Sequence, residues 1–230
     1  MKLLALDSAT EACSAALLID DEIRERFEIA PRRHAALLLP MTQALLAEAG
    51  LRLNDLDALA LAHGPGSFTG LRIALGTVQG LALGLDRPVV GISTLMALAA
   101  RTQRLHGAER VAVAMDARMG QVYWGEYGWD ADRQCRALAA DRLLDPAQAP
   151  RLDPAGWLPA GAGWQRYAGI LGQATGLGEP VRVLEPYPHA AEIARLAAPA
   201  ALRGEGVPAS RVAPVYLRQQ VAEKMKDRSV

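Results

Sequence analysis

Residues 64–84 read GPGSFTGLRIALGTVQGLALG, a glycine-rich turn that runs directly into an apolar helical segment. Inside that segment Gly76, Gly80 and Gly84 recur every four residues. Each glycine destabilises a helix interior by roughly 1 kcal/mol relative to alanine, so the pattern needs a compensating gain. A spacing of four places the glycines on one helix face, where a second helix can approach closely. The sequence therefore predicts a helix-docking face in this segment.

Composition limits the class of protein. The chain has 230 residues, 51% of them hydrophobic and 22% charged, which is typical of a globular protein with one or two domains. Its 25 basic residues balance its 25 acidic ones, so it lacks the overall positive field that binding to a phosphate backbone needs. We therefore expect any RNA to be held by another protein and to reach this chain only indirectly.

Cysteine usage and the N-terminal segment predict a cytoplasmic protein. The two cysteines, Cys13 and Cys135, are too few for a disulfide framework or a four-cysteine zinc site. The start MKLLALDSAT lacks the apolar core and cleavage site of a signal peptide. An uninterrupted apolar run of about 18 residues, the length of a membrane span, is also missing from the sequence, so we predict no membrane association.

Hydrophobic periodicity predicts the element order β-β-β-α-β-α-β-α for the first half. Three short strands form an antiparallel meander, a helix follows with Pro40 as an expected kink or break, and two strand–helix units complete the half. Ser93 is the expected N-cap of the last helix. The segments are strands at 2–7, 12–19, 22–29, 57–63 and 88–92 and helices at 33–49, 70–84 and 94–105.

The second half begins with a segment that resembles the start of the chain. Residues 111–127 follow the same order as the N-terminal segment, a strand, an aspartate, a small polar turn and a second strand, which makes Asp116 the counterpart of Asp7. This pattern also arises by chance, so both readings stay open. Later segments are interrupted by prolines and glycines, with a strand-like 157–163 and helices near 164–174 and 190–203. We predict lobes at 1–105 and 106–210 and a C-terminal extension at 211–230, extended first and frayed last.

The glycine turn and the first strand end carry the groups of a possible anion or metal site. Backbone amides and hydroxyls ahead of a helix can bind a phosphate, although the loop lacks the lysine of a Walker A motif. A tight strand-to-helix turn explains the same residues equally well, and a capped turn explains the aspartate. The candidates for a vestigial nucleotide or phosphate loop are Asp7, Ser8, Thr10, Gly64, Gly66, Ser67, Thr69, Arg72 and Asp116.

Other catalytic arrangements have no support in the sequence. The four histidines lie far apart, and none has a partner at three, four or five residues, as a helical zinc pair requires. The chain also lacks a Gly-x-Ser-x-Gly elbow, and neither thiol lies beside an obvious base. We therefore expect no catalytic residue, no bound metal and no cofactor.

Two apolar helices offer more hydrophobic surface than one sheet needs. We predict that they form a partner or dimer interface, although packing against the sheet must account for about half of their residues. The interface candidates are His34, Leu37, Leu38, Met41 and Leu45 from the first helix, and Leu71, Leu75, Gly76, Val78, Gly80 and Leu81 from the second.

Taken together, the segments LLALDSATEACSAALL, RRHAALLLP, HGPGSFTGLRIALGTVQGLALGL, PVVGISTLMALA, MDARMGQVYW and PVYLR resemble the TsaB (YeaZ) family of tRNA threonylcarbamoyladenosine biosynthesis proteins. The resemblance spans the full chain, and GPGSFTGLR followed by the glycine-spaced helix is its most specific block. It implies an α/β protein with the duplicated actin-like fold, also called the ASKHA or ribonuclease H-like fold. The second of the two lobes is expected to be smaller and degenerate.

The resemblance implies a non-catalytic scaffold subunit. It would bind and activate the related metalloenzyme TsaD, which modifies the adenosine beside the anticodon in tRNAs that read ANN codons, and the ATPase TsaE would complete the complex. Without its partner the same helices would form a homodimer. Where the catalytic relative carries His-x-x-x-His, this chain has residues 93–97, STLMA, so the metal site of that relative is lost. A stand-alone ATPase or kinase-like enzyme is the alternative, and a peptidase is the reading with least support.

Overall fold

The computed structural model describes residues 1–153, 155–178, 183 and 185–218. Its first sheet has the order β3-β2-β1-β4-β5, in which β1 is antiparallel to β2 and parallel to β4. The strands are β1 (Lys2–Asp7), β2 (Ala12–Ile19), β3 (Glu22–Ile29), β4 (Ala58–Gly64) and β5 (Val89–Ser93). Because β1, β2 and β4 are buried on both faces, they are almost entirely apolar. The predicted element order of the first half is confirmed.

Helices cover both faces of this sheet. One face packs against α1 (His34–Ala49) and α2 (Phe68–Leu85). The other face packs against α6 (Ala190–Leu202), and α3 (Thr94–His106) lies between the two sheets. The Ser93 hydroxyl accepts a hydrogen bond from the Met96 amide and caps α3, as its position predicts.

Helix α1 continues through Pro40, so the proline does not break it. Pro40 lies on the exposed side, while Leu38, Met41 and Leu45 are buried against the sheet on both sides of the proline. Packing of these side chains holds the two halves of the helix together despite the hydrogen bond that proline cannot donate.

The second sheet repeats the topology of the first. Its order is β10-β6-β7-β8, with β9 also pairing with β7. Strand β6 is antiparallel to β7 and parallel to β10, just as β1 is antiparallel to β2 and parallel to β4. The strands are β6 (Arg110–Arg118), β7 (Gln121–Trp129), β8 (Cys135–Ala137), β9 (Arg142–Leu144) and β10 (Trp157–Ala160). Among the described residues this sheet has no counterpart of β5. The predicted duplicated fold with a reduced second lobe is confirmed.

Two short helices, α4 (Ala162–Arg166) and α5 (Ala168–Thr175), occupy the region where one helix was predicted. They pack on the second sheet around Trp124 and Trp164, whose ring centroids lie 5.9 Å apart.

The predicted lobe boundaries stay a prediction. The packing of α6 on the first sheet nevertheless shows that the chain returns to the first lobe after residue 189. Of the predicted C-terminal extension, residues 211–218 contain no α-helix or strand, and the predicted fraying of 219–230 lies outside the described residues.

Candidate docking surface and interlobe cleft

The glycine-spaced face of α2 is exposed. Gly76, Gly80 and Gly84 all lie at the protein surface, and a Cβ atom added to any of them would meet no atom within 4 Å. Packing within this chain therefore does not require glycine at these positions. The three glycines lower the intrinsic stability of the helix, and no contact among the described residues compensates for this loss. A helix of another chain packed on this face would account for the four-residue spacing.

Exposed apolar side chains lie beside these glycines. Phe68 is 51% exposed and Leu83 is 79% exposed on α2, and Leu39 is exposed on α1. Helix α2 is also long and apolar enough, by length and composition alone, to cross a membrane, a property that buried helices of globular proteins share. The interface predicted from the sequence does not include these three residues. The four-residue spacing of the glycines extends back to Phe68 and would have identified that residue.

Several predicted interface residues are instead buried within this chain, so they offer little surface to a partner. Leu38, Met41, Leu45, Leu71 and Val78 lie on the inward faces of α1 and α2, which pack against the first sheet. His34 is buried at the start of α1. Leu37 on α1 is half-buried, and so are Leu75 and Leu81, which are next to Gly76 and Gly80 in the sequence of α2. We refer to Leu37, Leu39, Phe68, Leu75, Gly76, Gly80, Leu81, Leu83 and Gly84 as the α1/α2 surface.

The glycine turn is filled by the chain itself. A Cβ atom on Gly66 would lie 2.5 Å from the Ala9 carbonyl oxygen, and one on Gly70 would overlap the carbonyl oxygen of Ser8. The Ser67 amide donates a hydrogen bond of 2.8 Å to the Ala9 carbonyl. The Ser67 hydroxyl accepts a hydrogen bond from the Gly70 amide and caps α2. The geometry thus favours the tight turn, because the Ser67 amide, the Ser67 hydroxyl and the Gly70 amide already form hydrogen bonds within the chain.

Gly64 and Thr10 also serve the packing of the turn and its neighbours. Gly64 has a positive φ of 120°, and a Cβ atom there would lie 2.5 Å from the Val215 carbonyl oxygen. The Thr10 hydroxyl accepts a hydrogen bond of 3.2 Å from the Ala12 amide. Thr69 is exposed in the first turn of α2.

Asp7 is fully buried at the end of β1. Its Oδ1 atom accepts a hydrogen bond of 3.0 Å from the Ala9 amide, and Oδ2 has no hydrogen-bond partner among the described residues. Burial raises the pKa of this carboxyl group from 3.8 to about 7, because the surroundings disfavour its charged form. The hydroxyl of Ser8 points away from it and donates to the Gly70 carbonyl.

Asp116 has different surroundings, although it occupies the equivalent place on β6. Its carboxylate lies 3.2 Å from the Arg118 guanidinium and 3.5 Å from that of Arg166. The structure therefore does not join Asp7 and Asp116 into one metal site. Throughout the described part of the chain, no group of three histidine, cysteine, aspartate or glutamate side chains is arranged to hold a metal ion.

Arg72 does not extend over the glycine turn. Its guanidinium carbon lies 3.4 Å from the centroid of the Phe68 ring and 5.6 Å from that of Tyr216. The two aromatic rings lie 5.5 Å apart. Such cation–π contacts contribute about 0.5–1 kcal/mol at exposed sites, so the three side chains stabilise one another at the start of the exposed α2 face.

A cleft of about 590 Å³ lies between the two lobes. The turn between β1 and β2, the end of β6, the starts of α1 and α2 and the segment 215–218 contribute to its walls. Of the residues predicted for an anion loop, Thr10, Gly66, Ser67 and Asp116 line the cleft, whereas Asp7, Ser8, Gly64, Thr69 and Arg72 do not. His34 lines it as well, at the first position of α1.

Comparison with known proteins agrees with the fold and the motifs. The family model for TsaD, tRNA N6-adenosine threonylcarbamoyltransferase, matches residues 26–161. The tRNA threonylcarbamoyladenosine biosynthesis protein TsaB of Escherichia coli K12 is 41% identical over 97% of both chains, and that of Haemophilus influenzae is 38% identical over 97% of this chain and 96% of its own. The solved structure of YeaZ from Pseudomonas aeruginosa superposes with a TM-score of 0.82 at 46% identity, covering 94% of this chain and 99% of that one. These matches confirm the resemblance, and the chain belongs to the TsaB family, within the wider family that the TsaD model describes.

Proposed function

We propose that this protein acts in the biosynthesis of threonylcarbamoyladenosine in tRNA. Its role is that of a non-catalytic scaffold subunit, which binds a TsaD-like metalloenzyme and holds it in its active form. Relatives that match almost the whole chain carry this biosynthetic pathway in their names. The match of the TsaD model to residues 26–161 supports a common ancestry of scaffold and enzyme, and we infer that the two pair through equivalent surfaces, as identical subunits do in a homodimer.

The open glycine face of α2 is the observation that carries the docking role. Gly76, Gly80 and Gly84 lower the intrinsic stability of α2 and have no neighbour within 4 Å that would require them. Phe68, Leu83 and Leu39 add exposed apolar area next to them. A partner helix lying along this face would approach the α2 backbone closely and bury these side chains. The same self-complementary surface would form a homodimer when the partner is absent.

The buried end of β1 and the filled glycine turn support a non-catalytic role. An ATPase or kinase-like enzyme would need Asp7 at the cleft, where its carboxylate could bind magnesium through water. In this fold Asp7 is fully buried, and the glycine turn is filled by Ser8 and Ala9. We therefore favour the scaffold over the stand-alone ATPase, and the peptidase alternative has no supporting arrangement among the residues described.

Further partners follow from the same proposal. A TsaE-like ATPase would complete the assembly in the cytoplasm. The tRNA would be held by the TsaD-like subunit and would reach this chain only indirectly, since positive and negative residues are balanced at 25 each.

Replacement of the glycines tests the docking role. We expect the double variant Gly76→Leu/Gly80→Leu to lose co-purification with the TsaD-like partner, because leucine side chains would separate the two helices. Leucine is a better helix former than glycine, and both positions are open, so the isolated chain should remain folded. Gly169→Leu is a matched control: Gly169 lies in α5 of the second lobe, and its Cβ position is also open.

Reconstituted tRNA modification with purified components provides the second measurement. We expect the double variant to fail to support modification, while Gly169→Leu behaves as the wild type. Partner binding that survives in the double variant would refute the docking surface. Modification at the full rate without this chain would refute the scaffold role, and turnover of Mg-ATP by the isolated chain that is lost on Asp7→Ala would favour the enzyme alternative.

A further inference from the structure

Arg72 carries the single charge of helix α2. The 18 residues of the helix include no acidic side chain and no second basic one. Arg72 is exposed one turn before Gly76. Leu83, which is 79% exposed, lies about three turns further along and roughly 20° away around the helix axis. The charge therefore lies on the same exposed face as the glycines and Leu83.

The described part of the chain offers Arg72 no carboxylate. Every ion pair among the described residues joins other groups. The one acidic side chain of α1, Glu48, is paired with Arg26. The guanidinium of Arg72 is held instead against the rings of Phe68 and Tyr216, with its carbon 3.4 Å from the centroid of the first ring. The two rings fix the position of a cation that lacks an opposite charge.

A helix that docks on this face covers Arg72 and removes it from water. Burial of a charge without an opposite charge is unfavourable, whereas a well-placed carboxylate compensates for the lost hydration. The planar guanidinium suits such a contact, because it donates two parallel hydrogen bonds to one carboxylate. The free energy of docking therefore depends on what the incoming helix carries opposite Arg72.

A second copy of this chain meets this requirement poorly. A two-fold dimer uses the same surface on both subunits, so Arg72 would face α1 and α2 of the other copy. There α2 has no acidic residue, and Glu48 of α1 is already paired. Asp86 follows the C-terminal end of α2, roughly 21 Å from Arg72 along the helix axis. Self-association thus leaves Arg72 without a carboxylate unless the two α2 helices lie antiparallel in the register that brings Asp86 to it.

We propose that Arg72 sets the partner preference of the α1/α2 surface. It favours a partner whose docking helix places a glutamate or aspartate against the guanidinium held by Phe68 and Tyr216, and it disfavours a second copy of this chain. This inference rests on the proposed docking role of the surface. The apolar residues provide contact area for any helix, and Arg72 discriminates between helices by the charge that they carry.

Two dissociation constants measured on the full chain test this proposal. Calorimetry gives that of the complex with the TsaD-like protein, and sedimentation equilibrium gives that of the homodimer. Arg72→Gln should weaken the complex by roughly thirtyfold or more, the usual effect of removing one member of a buried charge pair. The same variant should tighten the homodimer about tenfold, because a neutral amide is easier to bury than an unpaired charge.

Two further variants separate the charge from other effects. Arg72→Lys keeps the positive charge and should recover most of the affinity for the TsaD-like protein, which a role limited to packing against the two rings would not predict. Arg133→Gln is the matched control, because Arg133 is an exposed arginine between β7 and β8 of the second lobe. We expect it to change neither dissociation constant.

The two constants distinguish the outcomes. Opposite changes in Arg72→Gln support the proposal. Weakening of both assemblies, with an equal loss of the homodimer in Asp86→Asn, would place Arg72 against Asp86 of a second copy and overturn it. Unchanged affinity of Arg72→Gln for the TsaD-like protein would also overturn it, while docking through the apolar residues would stand. A wild-type chain that forms no complex with the TsaD-like protein would refute the proposed function, and this inference with it.

Discussion

Ser8, in the turn between β1 and β2, is in direct contact with Gly70 in the first turn of α2. The hydroxyl of Ser8 donates a hydrogen bond of 2.8 Å to the Gly70 carbonyl, and a Cβ atom on Gly70 would overlap the Ser8 carbonyl oxygen. The contact joins residues that are 62 positions apart. Glycine at position 70 is therefore required by packing inside the chain, whereas the glycines further along α2 are not.

Alanine substitutions at these two kinds of glycine should have opposite effects. Gly70→Ala forces a methyl group against the Ser8 backbone and should lower the free energy of unfolding by about 1–3 kcal/mol. Gly76→Ala adds a methyl group in open space within a helix and should raise the free energy of unfolding by about 0.5–1 kcal/mol. Urea denaturation of both variants provides the measurement. Effects of the same sign would contradict the packing described here.

The buried carboxyl group of Asp7 should make stability depend on pH. The folded protein keeps a proton on Asp7 up to about pH 7, while the unfolded chain releases it near its ordinary pKa of 3.8. Between these values the folded state binds more protons, so the free energy of unfolding falls as the pH rises. At 1.36 kcal/mol per pKa unit, this contribution is at most roughly 4 kcal/mol.

Asp7→Asn should remove this contribution, because an amide does not titrate. Denaturation at pH 4.5 and at pH 8 would measure the loss of stability between the two conditions, and we expect a smaller loss for the variant than for the wild type. The comparison uses the difference between two pH values, so any constant destabilisation by the buried amide cancels. Equal losses for both proteins would show that Asp7 titrates near its ordinary pKa.

Tyr127 and Ser93 together hold the carboxylate of Asp141 between the two lobes. The Tyr127 hydroxyl donates a hydrogen bond of 2.6 Å to Oδ1 of Asp141, and the Ser93 hydroxyl donates one of 2.9 Å to Oδ2. Burial raises the pKa of Asp141, while these two hydrogen bonds lower it. Tyr127→Phe should therefore raise this pKa further and lower the free energy of unfolding at pH 7 by about 1.5–3 kcal/mol.

Tyr167→Phe is the control for this prediction, because among the described residues the one hydrogen bond of the Tyr167 hydroxyl is with the exposed Arg166 guanidinium. We expect a change within about 0.5 kcal/mol for the control. Thermal or urea unfolding at pH 7 measures both effects. Equal stability of the two variants would show that the contact between Tyr127 and Asp141 contributes little.

A charged side chain on the α1/α2 surface should abolish partner binding and leave the stability of the isolated chain nearly unchanged. Leu83 is 79% exposed, so Leu83→Glu should change the free energy of unfolding by no more than about 0.5 kcal/mol. In a complex the same carboxylate would be buried among apolar side chains without a partner, and co-purification with the TsaD-like protein should be lost. Leu202→Glu, at a residue that is 73% exposed at the end of α6, should retain binding. Loss of binding in both variants would point to a general effect of charge rather than to this surface.

The sequence by itself determined the architecture of the first lobe, whereas the repetition in the second lobe stayed open until the strand pairing was known. Alternation in the strands, helical spacing in α1 and α2 and the Ser93 cap are local patterns, and local patterns depend on neighbours that the sequence displays. The spacing of Gly76, Gly80 and Gly84 likewise indicated a common helix face before any contact was known.

Only the tertiary structure decided which of these residues face inwards. Leu38 and Leu39 are adjacent on one helix, yet the first is buried in the core and the second is exposed, because burial depends on where the sheet lies. The glycine turn read equally well as an anion cradle or a tight turn until the β1–β2 turn was seen to fill it. Contacts such as that of Ser8 with Gly70 join distant parts of the chain, and no local pattern encodes the distance between them. The same reason hid the convergence of the α1 and α2 N-termini on the interlobe cleft.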